Sequence, residues 1–157
     1  MMIRMHTSAL AFSLVLLASP SLANNLIGKT IPPYPSGWQE EGGACLLNCN
    51  YSLGVLIKAQ QRLLYLGKNS PQSTASDPRW QVLDTMPYPE PPEGYELVYS
   101  ACEHQGIPDP SLIALVKIAD DEWLDQVRFA YKANINKGRF ETISTQGVRC
   151  QNIGWGL

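Results

Sequence analysis

The chain has 157 residues, 45% of them apolar and 17% charged, with a formal net charge of −2 and no basic run. That balance argues against a disordered chain, which would be poorer in apolar residues. It also argues against nucleic acid and a polybasic membrane-surface role, because phosphates are held by clustered Lys and Arg.

The first residues contain one basic side chain, Arg4, followed by an apolar run from Ala9 to Ala18, Pro20, and the small-residue site Ser21-Leu22-Ala23. This is the plan of a secretory signal peptide over 1–23, with cleavage after Ala23. The run is too short for a membrane anchor, which needs about 20 apolar residues. No cysteine lies near the cleavage point, and no later stretch is long and apolar enough to span a bilayer. Residues 24–157 are therefore expected to be a single exported domain, periplasmic or secreted.

Residues 24–44 read as extended and irregular, because Ile31-Pro32-Pro33-Tyr34-Pro35 excludes helix. Cys45 and Cys49 follow, and Cys102 and Cys150 come later. An even cysteine count in an oxidising compartment points to two disulfides. Of the three possible pairings, Cys102–Cys150 across a C-terminal sheet and Cys45–Cys49 around a local turn are the expected ones. Cys45-Leu-Leu-Asn-Cys49 lacks the Cys-x-x-Cys spacing of a thiol oxidoreductase.

Residues 51–66 fit two patterns. Leu53, Leu56, Ile57, Gln60, Leu63 and Leu64 make a helical stripe that Gly67 would cap. Alternatively, Val55, Ile57 and Ala59 form one strand of a hairpin, with Leu63 and Tyr65 on the other. Ala59-Gln60-Gln61-Arg62 is rich in helix formers and poor in turn residues, so helix is the reading adopted. A polar loop over 67–79, a short apolar element from Trp80 and an extended Pro-rich stretch from Met86 to Gly94 follow.

The last third reads as antiparallel sheet. Tyr95 to Cys102 alternates, with Tyr95, Leu97 and Tyr99 on one face, and Leu112–Ile118 is a second apolar run. Val127, Phe129, Tyr131 and Ala133 share a face of a third strand. Asn136-Lys137-Gly138 makes a tight turn, Phe140–Thr145 returns, and Gly147–Cys150 ends the sheet.

Chemistry-bearing residues are few. His6 leaves with the leader, so His104 is the one candidate base for a Ser-His-Asp or Cys-His unit. Cys102-Glu103-His104 as a metal corner has one histidine and a sulfur expected in a disulfide. Asp120-Asp121-Glu122-Trp123-Leu124-Asp125 lacks calcium-loop spacing and reads as a solvated turn or a helix start. Glu90 and Glu93 as paired carboxylates for sugar cleavage lie in a Pro-rich stretch with nothing in the sequence to divide them into acid and base. No cofactor and no metal site is expected. Tyr34, Trp38, Tyr88 and Tyr95 lie in or beside the Pro-rich stretches, as partner-binding aromatics or as cover for a sheet face.

At the C-terminal end, two apolar strands, a Gly turn and Gly147-Val148-Arg149-Cys150 resemble the cryptic neisserial protein-like family of small exported bacterial proteins. The resemblance implies a Gram-negative periplasm and carries over no site residue. These readings converge on an α+β fold, mainly β: a small single domain with a C-terminal antiparallel sheet, one helix near 51–66 and two disulfides. The expected function is a non-catalytic binding or accessory role in the bacterial envelope, with another envelope protein as partner. The alternatives are a periplasmic inhibitor or immunity protein capping an enzyme, and an enzyme using His104 or carboxylates.

Overall fold

A computed structural model describes residues 25–156, so the leader 1–23 and its cleavage point lie outside the described residues. Among the described residues there are antiparallel strands and no α-helix, which makes the fold all-β rather than α+β. Strands β1 (Thr30–Ile31), β2 (Gln39–Leu46), β3 (Tyr51–Lys58), β4 (Gln61–Asn69) and β5 (Trp80–Pro87) form a five-stranded sheet in the order β1-β5-β4-β3-β2.

The helix expected over 51–66 is the β3–β4 hairpin. Leu53, Val55, Leu64 and Leu66 pack on one face of the sheet, and Leu56, Leu63 and Tyr65 on the other. Because both faces are covered, the alternation that marks a half-exposed strand is lost, and the continuous apolar run imitates a helical stripe. The turn is Ala59-Gln60, and Ala59 takes a φ of 52°, a left-handed conformation usually left to Gly or Asn. Gly67 lies inside β4 instead of capping a helix; a Cβ there would come within 2.8 Å of Trp80 Cβ.

The stretch expected to be irregular, 24–44, contributes β1 and most of β2. In β2 the register with β3 shifts between Glu40 and Gly42, so Glu41 is the extra residue of a bulge. Gly43 is required next, because a Cβ would sit 2.8 Å from the Leu53 carbonyl oxygen. The Ile31–Pro32 and Pro32–Pro33 peptide bonds are cis. Met86 and Pro87 close β5 opposite Leu64 and Leu63, before the Pro-rich connection begins.

From residue 95 the chain passes between two further sheets. Its strands are β6 (Tyr95–Tyr99), β7 (Cys102–His104), β8 (Ile107–Pro108), β9 (Leu112–Lys117), β10 (Trp123–Leu124), β11 (Val127–Asn134), β12 (Arg139–Ile143) and β13 (Val148–Gln151). A middle sheet has the order β12-β11-β9-β6, and an outer sheet β10-β13-β7-β8. The single strand expected over 95–102 bends at Ser100, with a φ of 62°, and so serves both sheets. Gly147–Cys150 accordingly ends the outer sheet, not the one that holds Phe140.

The face assignment along β11 also changes. A bulge between Val127 and Phe129 turns Val127 to the Ala130 face, while Ala133 packs on the opposite one. Gly138 takes the expected left-handed turn position, with a φ of 63°.

The middle sheet is sandwiched. Ile113 of β9 packs with Leu53, Val55, Leu64 and Leu66 of the five-stranded sheet, while Leu112, Ala114 and Val116 pack with Val148 and the Cys102–Cys150 pair. The five-stranded and middle sheets meet along β5 and β12, where the Phe140 amide donates to Asp84 Oδ2 at 2.7 Å, and the three sheets include one half-barrel. Cys102 and Cys150 are directly paired across β7 and β13, and Cys45–Cys49 closes the β2–β3 connection.

Candidate functional site

Sheet edges carry main-chain donors and acceptors without a neighbour, and most edges of this fold are blunted in ways that discourage further pairing. The strands β1, β8 and β10 are two residues long, and β8 contains Pro108. Strand β2 carries the Glu41 bulge and two carboxylates. Strand β12 presents Arg139 and Glu141, and hydrogen bonds from Lys137, Asn134 and Arg139 hold the Glu141 pKa down at about 2. By contrast, β6 has five residues, no proline and no bulge.

The register fixes which β6 groups face outward. Ile118 N–H donates to Gly94 O, and Ser100 N–H to Leu112 O, so even-numbered residues of this segment bond to β9. Antiparallel pairing alternates, so the N–H and C=O of Leu97 and Tyr99 point away from the sheet. One step further on, the outward carbonyl of Ala101 accepts from Gln151 N–H. The β13 ladder therefore runs up to Ala101 and stops just short of β6.

Asn152 is what turns the chain aside. Its side-chain amide donates to Ala119 O and Asp121 O, both at 3.0 Å, and its own N–H donates to Glu122 O. The result is a groove of 480 Å³ between residues 96–100 and 151–154, with Ile118 on its wall. Ile118, Ile153 and Trp155 are 55%, 76% and 49% exposed. A strand continuing the line of β13 would lie about 4.8 Å from β6 in this groove. None of its lining residues stood among the expected binding residues, although Tyr95 directly precedes them at the start of β6. The available signals were the unguarded Tyr95–Tyr99 alternation and the apolar Ile153 and Trp155 close to the C-terminus.

The four expected aromatic residues do not converge. Trp38 is buried and Tyr34 partly so, both against the Leu26–Ile31–Leu56 cluster on the outer face of the five-stranded sheet. Burial, then the hydrogen bond from Tyr34 to Glu40 (2.5 Å), pushes the Tyr34 hydroxyl pKa up. Tyr88 packs between the five-stranded and middle sheets, its ring 3.8 Å below the Arg62 guanidinium. Arg62 also holds Glu41 and Glu90, so it ties the β2 bulge, the hairpin and the Pro-rich connection together. Only Tyr95, under Arg128 at 5.8 Å, begins the open edge.

Of the remaining candidates, His104 shares a hydrogen bond of 3.1 Å between Nε2 and the Gln146 carbonyl, at the β7–β8 hairpin. Glu103 is buried, accepts from Arg149 Nε at 2.5 Å, and Arg149 lies 4.5 Å above the Trp123 ring. The acidic run 120–125 is a turn leading into β10, and not a helix start. Among the described residues no three His, Cys, Asp or Glu side chains are grouped to hold a metal ion. No family model, no curated protein and no solved structure matches the chain.

Proposed function

We propose that the chain is an exported, non-catalytic binding protein of the bacterial envelope that receives an extended segment of a protein partner along β6. One observation carries this reading: the outward main-chain groups of Leu97 and Tyr99 lie in an apolar groove, in line with a ladder that stops at Ala101. Adding a strand to an open edge is a general mode of peptide recognition, in which the main chain gives affinity and alternate side chains give specificity. Export is supported by the leader and by two disulfides, which form and persist in oxidising compartments. The resemblance of 147–150 to small exported proteins points the same way.

Backbone pairing alone would be weak. At about 1 kcal/mol net for each hydrogen bond, the groups of Leu97 and Tyr99 contribute about 4 kcal/mol, which corresponds to about millimolar affinity. Useful affinity must therefore come from side chains meeting the groove walls.

The test is affinity capture from the native envelope with wild-type protein and two variants. Leu97→Pro removes an outward donor without touching the bonds to β9, a position where edge strands tolerate proline. Ile153→Lys sets a long charged side chain on the groove wall at an exposed position. Wild type should recover one stoichiometric partner, and both variants should lose it, with the melting temperature of Ile153→Lys unchanged. Equal recovery by all three proteins would refute the reading.

A further inference from the structure

Resting on that reading of β6, we infer that the segment received is basic, with an apolar residue at its centre. The groove is bordered by carboxylates that make no ion pair among the described residues. Glu96 lies on its floor, Glu93 just precedes β6, and Asp120, Asp121 and Glu122 form the turn whose carbonyls hold Asn152. Lys117, opposite Tyr95, and Arg128, over the Tyr95 ring, are the nearby cations among the described residues, both at one end of the strand. The rim is therefore net negative, and a cationic segment would meet complementary charge at Glu96 and at the 120–122 turn.

Apolar walls and an acidic rim together define the occupant. A residue opposite Val98 would share the face that packs toward the outer sheet, where Ile118 lines the groove, and exposed Ile153 lies on the opposite wall. Lysine or arginine on either side of it would reach Glu96 at one flank and the 120–122 turn at the other. A second copy of this chain is a poor occupant, because pairing β6 with β6 would bring two identical acidic rims together.

Three synthetic peptides test this. All share an alternating Val-Thr core, with both ends blocked, and are flanked by lysines, by glutamines or by glutamates. Each is titrated into the purified protein with its disulfides intact. Binding is read by calorimetry and by amide exchange at Leu97 and Tyr99. The lysine peptide should bind at least about 10-fold more tightly than the glutamine peptide, and the glutamate peptide least, with the contrast shrinking at high salt. Glu96→Gln combined with Asp121→Asn should narrow the lysine preference. Equal binding of the lysine and glutamine peptides, with Leu97 and Tyr99 protected by both, would overturn the charge preference and leave strand acceptance standing. Failure of every peptide to protect those amides, or a dimer paired through β6, would overturn both.

Discussion

Tyr65→Phe should destabilise the protein near neutral pH, and the destabilisation should vanish in alkali. The Tyr65 side chain is fully buried, with its hydroxyl donating to Glu40 Oε1 at 2.8 Å. Its ring occupies space that a Cβ on Gly54 would invade to 2.3 Å. Burial foremost, with the Glu40 carboxylate adding to it, raises the Tyr65 pKa well above the usual 10, although a hydrogen bond with Ser52 acts the other way. A raised folded-state pKa means the stabilisation is fully present below the unfolded pKa and is lost as pH rises through and beyond it.

With an unfolded value of about 10, the wild type loses about 1.4 kcal/mol per pH unit from this group, or about 2 kcal/mol by about pH 11.5. The Phe variant lacks that dependence but gives up the hydroxyl–carboxylate bond, at a cost of about 1–2 kcal/mol at about pH 8. Urea unfolding at a series of pH values, with disulfides intact, should therefore show the two proteins converging or crossing. If the deficit of the variant stays constant or grows with pH, Tyr65 ionises in the folded protein and the account of this cluster is wrong.

Three further changes follow from the same geometry. Ala59→Gly relieves the left-handed φ in the β3–β4 turn and should stabilise by about 1 kcal/mol, seen as a melting temperature higher by about 2–5 °C; a lower one would mean a different turn. Arg62→Ala removes the stack on Tyr88 and the partly exposed pairs with Glu41 and Glu90, and should cost about 1–2 kcal/mol in a denaturant titration. In a double-mutant cycle with Tyr88→Ala, a coupling near zero would contradict the stack. Replacing Cys102 and Cys150 by Ala opens a crosslink with a sequence separation of 48 and should cost about 4 kcal/mol. The Cys45/Cys49 double variant, with a separation of 4, should cost about 2 kcal/mol; equal losses would argue against loop entropy as the cause.

That there are two disulfides was legible from the even cysteine count, with the pairing of Cys102 to Cys150 resting on the expected C-terminal sheet. The β character of the C-terminal third was legible because alternating strands are a local signal. The β3–β4 hairpin was legible only as the second of two patterns. Its residues are buried on both faces, so periodicity disappears, and its turn uses Ala59 where sequence reasoning looks for Gly or Asn. Strand β2 was hidden by Glu40-Glu41-Gly42-Gly43, residue types uncommon in strands, which here serve a bulge and a close backbone approach. The open edge was the least visible feature. Nothing in Tyr95-Glu96-Leu97-Val98-Tyr99 says which neighbour is missing; that depends on Asn152, far along the chain, being drawn to the 119–122 turn.

The most direct measurement is backbone amide exchange across β6 in the free protein, followed by NMR. The account predicts alternation: Leu97 and Tyr99 exchange quickly, while Glu96 and Val98, bonded to β9, exchange slowly. Slow exchange at all of these positions would mean that β6 is already paired, and no segment could be received there.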